Sequence, residues 1–126
     1  MARPMTEALI DSHDAALFDL DGVVYLGSEV VPAAPATMSR LRARGVGVGF
    51  VTNNAARATT VVADQLTDMG IPAAPSDVVS SAEAVTALVA TELGQGTRVL
   101  IAATSTVADL ARQRGLVPVH SADEHP

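Results

Sequence analysis

Short apolar runs alternate with helix-forming stretches from Ala15 to Val119, and this alternation narrows the available folds more than any other feature. Ala15-Ala16-Leu17-Phe18-Asp19-Leu20 is nearly continuous in apolar character, as in a strand buried on both faces of a parallel sheet. Val23 to Val31 is mixed and contains Gly27, so it reads as a loop or tight hairpin. A helix is expected to open near Pro32 or Pro35, residues suited to a first turn, and to close at Gly45. Arg40, Arg42 and Arg44 lie in or near its last turn, where cations complement the helix dipole.

Val46 to Val51 reads as the second strand, leading into Thr52-Asn53-Asn54. A helix over about 57–69 turns Val62, Leu66 and Met69 inward and stops at Gly70. Asp77 to Ser80 reads as a short third strand, and Ser80 and Glu83 have the spacing of a capping box opening a helix to Leu93. A strand at 98–103, a helix at 105–114 and an apolar run at 116–120 complete the pattern. Strands that alternate with helices of about a dozen residues predict βαβ units: an α/β fold with a Rossmann-like parallel sheet. Right-handed crossovers bring the carboxyl ends of the strands to one edge, where such sheets bind ligands. Asp19, Asp21, Thr52, Asn53 and Asn54 all fall there.

Composition removes several classes of function. Acidic residues outnumber basic ones, with a formal net charge of −6, so no basic stripe can neutralise a nucleic-acid backbone. Aromatic residues make up 2% of the chain, too few for base stacking. Cysteine is absent, which excludes disulfides and thiolate metal sites and fits a reducing compartment. The first residues, Met1 to Asp14, lack the apolar segment of a signal peptide, and no apolar stretch approaches the roughly 20 residues of a membrane helix. A cytoplasmic protein binding neither nucleic acid nor membrane is expected.

Carboxylates at a strand end need a partner or a metal to offset desolvation. Asp19 and Asp21 stand at i and i+2, so their side chains leave the strand in similar directions. Gly22 lets the chain turn at once and a ligand come close to the backbone. A hydroxyl and two amides arrive on the next strand end. The set suits phosphoryl transfer to water through a covalent step, with Mg²⁺ offsetting charge between carboxylate and phosphate. A calcium loop of the EF-hand type does not fit, because its sixth and twelfth positions counted from Asp19 hold Val24 and Val30.

Leu17-Phe18-Asp19-Leu20-Asp21-Gly22-Val23 resembles the first motif of haloacid dehalogenase (HAD) superfamily phosphatases. Phe50-Val51-Thr52-Asn53-Asn54 is similar to their second motif. The longer Asp-Leu-Asp-Gly-Val-Val-Tyr-Leu-Gly and Val-Thr-Asn-Asn forms resemble the NagD/4-nitrophenylphosphatase branch, as do Val78 to Ala84 and Arg98 to Val119. The resemblance implies Asp19 as nucleophile and metal ligand, and Asp21 as general acid/base holding Mg²⁺ through its backbone carbonyl. It implies Thr52 and Asn53 as phosphoryl-binding groups, with Asn54 orienting substrate and Gly22 serving the turn. The substrate would be a small phosphate monoester of the sugar or glycerol phosphate class, and the full-length form could self-associate.

The family also has a lysine and a distal acidic pair, which in this branch follow an inserted cap. This chain has no lysine. It therefore reads as the N-terminal part of a longer enzyme, with 1–93 the first half of a HAD core and 94–126 the start of an α/β cap. Ala102-Ala103-Thr104-Ser105 stands where the family usually has a glycine-rich turn. A non-catalytic HAD-like fragment or interaction module is the alternative. A phospho-acceptor receiver domain is disfavoured, because the later strand ends hold Thr52, Ser80 and Ala103 instead of an acid and a lysine. An apolar edge left open near the Asp19 strand would promote self-association.

Overall fold

The computed structural model describes residues 8–120; the N-terminal stretch through Glu7 and the polar tail Ser121–Pro126 lie outside the described residues. Strand β1 (Ala15–Asp19) is followed by a small hairpin of β2 (Tyr25–Leu26) and β3 (Glu29–Val30), then helix α1 (Ala34–Ala43). Strand β4 (Gly47–Thr52), helix α2 (Thr59–Asp68), strand β5 (Val78–Ser80) and helix α3 (Ser81–Leu93) come next. Strand β6 (Arg98–Leu100), helix α4 (Ser105–Gln113) and strand β7 (Val117–Val119) end the series. The stretch at 23–31 is thus a hairpin, turned at Gly27 and Ser28 with a positive φ at Gly27. Gly45 and Gly70 adopt positive φ just past α1 and α2, as the helix stops require.

Strands β1, β4 and β5 form a parallel sheet with β4 in the middle. Ala15 pairs with Gly47 at one end, and Asp19 pairs with Val51 and Val51 with Val79 at the other. The side chains alternate about this register. Phe50 and Val78 join Leu20, Val24, Tyr25, Met38, Val62, Leu66 and Ile71 in the main core, with Phe18 and Val48 packed against it. Helices α1 and α2 and the hairpin supply the rest of that core, and the Phe18 and Phe50 rings meet with centroids 6.4 Å apart. With so few aromatic side chains, small aliphatics fill the remaining volume.

The other face is different. Leu17 is 72% exposed, Val79 44%, and Val51 is also open. The expectation that the first strand is buried on both faces is therefore corrected. A continuous apolar run signals apolar surroundings without saying which neighbour provides them, and α1 and α2 both lie on the Phe50 side. Leu17 rests instead over Gly49, where an added Cβ would come within 2.9 Å of its Cδ2 atom.

A second core belongs to the later elements. Strands β6 and β7 pair in parallel, and α4 between them turns Val107, Ala108 and Ala111 inward against Ile101 and Leu116. Ala82 of α3 joins this cluster, with Val89, Ala90 and Ala55 packed on it. Helix α3 thus faces the second core while its first residue directly follows β5. The strand expected at 98–103 ends at Leu100, and Ile101 N–H continues to the Val119 carbonyl at 2.8 Å.

Candidate active site

The carboxyl end of β1 brings the two aspartates out on either side of a buried leucine. Leu20 has no exposed surface, whereas Asp19 and Asp21 are exposed, as alternation at i and i+2 requires. One Asp19 oxygen, Oδ1, accepts the Leu20 N–H at 2.9 Å. Beyond Asp21 the chain reverses. Gly22 takes φ +82°, a value side chains rarely adopt, and its N–H donates to the Tyr25 carbonyl at 2.8 Å. Nothing would lie within 4 Å of a Cβ at Gly22, so the backbone there is open to a ligand. Val24 and Tyr25 N–H both point back to the Leu20 carbonyl, at 2.9 and 3.3 Å, and Asp21 and Tyr25 form an isolated bridge.

The end of β4 arrives alongside. Thr52 is nearly buried, and its Oγ1 accepts the Asn54 N–H at 3.1 Å, which leaves the hydroxyl proton to donate elsewhere. Asn54 Oδ1 accepts the Ala56 N–H at 3.0 Å, an Asx turn that occupies this oxygen in shaping the loop. The Asn53 carbonyl is taken by the Ser81 hydroxyl at 3.2 Å. An open cleft of about 420 Å³ is lined by Asp19, Thr52, Asn53, Ser80 and Ser81. The structure therefore brings Asp19, Thr52 and Asn53 into one cleft. Asp21, Gly22 and Asn54 adjoin it from the turns that follow.

Ser80 and Ser81 also line the cleft, although the sequence pattern marks them as a strand end and helix start within a NagD-like stretch and gives them no role at the site. Ser80 Oγ accepts the Glu83 N–H at 3.1 Å, half of a capping box. The Glu83 carboxylate reaches instead toward the Thr59 hydroxyl at 3.5 Å. Tyr25 was also missed. It is buried, and close enough to Arg57 and to both aspartates to feel their charge. Burial pushes its phenol up from the ordinary value, Asp21 adds to that rise, and Arg57 opposes it.

The family model of haloacid dehalogenase-like hydrolases matches residues 16–117, which includes every one of these groups. The chain belongs to the haloacid dehalogenase-like hydrolases. It is 38% identical over 120 residues to the D-glycerol 3-phosphate phosphatase of Mycobacterium tuberculosis, a match taking in 95% of this chain and 33% of that protein. A crystal structure of glycerol phosphate phosphatase from Mycobacterium tuberculosis in complex with magnesium aligns with a TM-score of 0.82 at 39% identity, covering 92% of this chain and 35% of that one. A thermostable p-nitrophenylphosphatase from Bacillus stearothermophilus aligns with a TM-score of 0.74 at 28% identity, covering 85% and 42%. This HAD-like chain thus spans about a third of the length of that mycobacterial relative.

Magnesium needs hard oxygen donors, and it is commonly held by one or two carboxylates together with water and substrate phosphate. Asp19 and Asp21 are such donors, exposed at one sheet edge. The donor set of this HAD-like chain fits the ion in that mode. Among the described residues no group of three or more His, Cys, Asp or Glu side chains gathers as a closed cage. No helix among them is long and apolar enough to cross a membrane.

Proposed function

We propose that this edge serves the hydrolysis of small phosphate monoesters of the sugar or glycerol phosphate class, through an aspartyl-phosphate step. One observation carries the reading: Asp19 shares a cleft with Thr52 and Asn53 at the carboxyl edge of a parallel sheet. The likeness to D-glycerol 3-phosphate phosphatase supports the substrate class.

Asp19 attacks phosphorus through its carboxylate, and the bond from phosphorus to the leaving oxygen breaks. Asp21 gives its proton to that oxygen, then takes one from the water that attacks the aspartyl phosphate. Inorganic phosphate leaves and Asp19 returns to its carboxylate. Thr52 Oγ1 donates to a phosphoryl oxygen while accepting from Asn54 N–H, so its orientation is set beforehand. Asn53 N–H is assigned a second phosphoryl contact. Mg²⁺ held by Asp19 and the Asp21 carbonyl would screen the charge of carboxylate and phosphate when bound.

The assignment of 1–93 to a hydrolase core and 94–126 to the start of an inserted cap belongs to the same proposal. So do a cytoplasmic location and a small phosphorylated metabolite as partner. Phosphate release from 4-nitrophenyl phosphate with and without Mg²⁺ tests the reading. Release should require the metal and fall to background in Asp19→Asn; activity surviving that substitution would sink the nucleophile. The absence of lysine favours one second reading, a phosphate-binding module without turnover. Calorimetric binding of phosphate with no release would select it.

A further inference from the structure

The chain from Asn54 to Arg57 leaves the sheet without a ladder to hold it. Among the described residues, no backbone-to-backbone hydrogen bond falls on these positions. Side chains hold them instead. Two belong to the same end of β4: Thr52 Oγ1 accepts Asn54 N–H at 3.1 Å, and Asn54 Oδ1 accepts Ala56 N–H at 3.0 Å. Two more come from far along the chain. Ser81, the first residue of α3, donates to the Asn53 carbonyl at 3.2 Å. Thr106, in the first turn of α4, donates to the Ala56 carbonyl at 3.2 Å.

Ala56 is therefore closed on both sides, its N–H by the Asx turn and its carbonyl by Thr106. Its neighbour Ala55 packs against the second core, the cluster that holds Ile101, Val107 and Ala108. The turn that follows Thr52 and Asn53 thus rests on the α4 unit, away from the main core beneath β4. A helical threonine commonly bonds back to a carbonyl of its own helix, as Thr67, Thr86 and Thr91 do here. Thr106 stands too close to the start of α4 for that, and its one hydroxyl proton crosses to the turn instead.

We infer that Thr106 is a positioning residue: its hydroxyl holds the Asn54–Arg57 turn, so that phosphate binding at the end of β4 depends on α4. The path is short. Thr106 fixes Ala56, Ala56 N–H fixes the Asn54 side chain, and Asn54 N–H sets which way the Thr52 hydroxyl can donate. The phosphate role of Thr52 rests on the proposed function; the hold on the turn does not. Thr106 touches no reacting atom.

Amide hydrogen exchange of the full chain, followed by NMR without phosphate, tests the hold. Thr106→Val removes the donor and keeps the branched shape. It should speed exchange at Ala56 and Asn54 N–H about 3- to 10-fold, the effect of losing one net hydrogen bond. Phe50 in the sheet and Ala111 in α4 should not change. Thr106→Ser, which keeps the hydroxyl, should recover the protection, and Thr106→Ala should repeat the loss if valine disturbs α4. Unchanged exchange at Ala56, or no recovery with serine, would overturn the inference. Calorimetry with inorganic phosphate and Mg²⁺ is a separate arm. Binding about 3- to 10-fold weaker in Thr106→Val, restored in Thr106→Ser, supports the role at the site. Unchanged binding beside a loosened turn would overturn that role. No binding by the parent chain counts against the proposed function while the exchange result still decides the hold.

Discussion

The two faces of the three-stranded sheet are made from the same kinds of residue and meet opposite fates. On one face Phe50 and Val78 are sealed beneath α1, α2 and the hairpin. On the other, Leu17, Val51 and Val79 stand open beside the strand end that carries Asp19. Hydrophobicity decides that a strand forms; the placement of helices decides which face is covered. The covered face therefore carries stability, and the open face carries the hazard of association that exposed apolar patches bring.

Substitutions on the two faces should separate these consequences. Phe50→Ala removes the largest fully buried side chain and should cost about 3–5 kcal/mol. Thermal or urea melting should show that loss, or an unfolded chain. Ser80→Ala removes the oxygen that accepts Glu83 N–H and should cost about 1 kcal/mol, a smaller drop in the same melts. Leu17→Ser on the open face should change stability by no more than roughly 0.5 kcal/mol. Its effect belongs to sedimentation velocity, where it should reduce self-association of the parent chain. A large loss of stability from Leu17→Ser would show that the open face is covered in solution.

The smallest effect is confined to alkaline pH. Tyr25 is the single tyrosine and tryptophan is absent, so ultraviolet absorbance reports one phenol. Its folded value is raised, so its contribution to stability is intact below the ordinary value of about 10 and is lost as pH climbs toward the higher folded value. The absorbance midpoint should lie above the ordinary value. Arg57→Ala should move it higher still, because the guanidinium opposes the rise; a lower midpoint would contradict that opposition.

The α/β alternation, the helix stops at Gly45 and Gly70, and the positions of Asp19, Asp21 and Thr52 were all legible from local pattern. They follow from period, turn chemistry and motif spacing, which are written within a few residues of each position. The open face behind Leu17 was not legible, since burial depends on helices placed by the whole topology. Nor were the links of Ser81 to Asn53 and Gln65 to Gly27, which join residues far apart in the chain and exist only once the register is set. Glu83 shows the same limit at short range: its spacing from Ser80 was right, but its carboxylate turned toward Thr59.

Ser80 ends β5 and caps α3, with no residue between strand and helix. The cleft wall is therefore indexed to the sheet by chain length as well as by chemistry. Adding one residue at this junction would rotate α3 by about 100° about its axis. Ser81 would swing off the Asn53 carbonyl, and Ala82 would leave the second core. The site accepts changes of side chain here far more readily than insertions or deletions, and divergence among related chains at this junction should run through substitution at constant length.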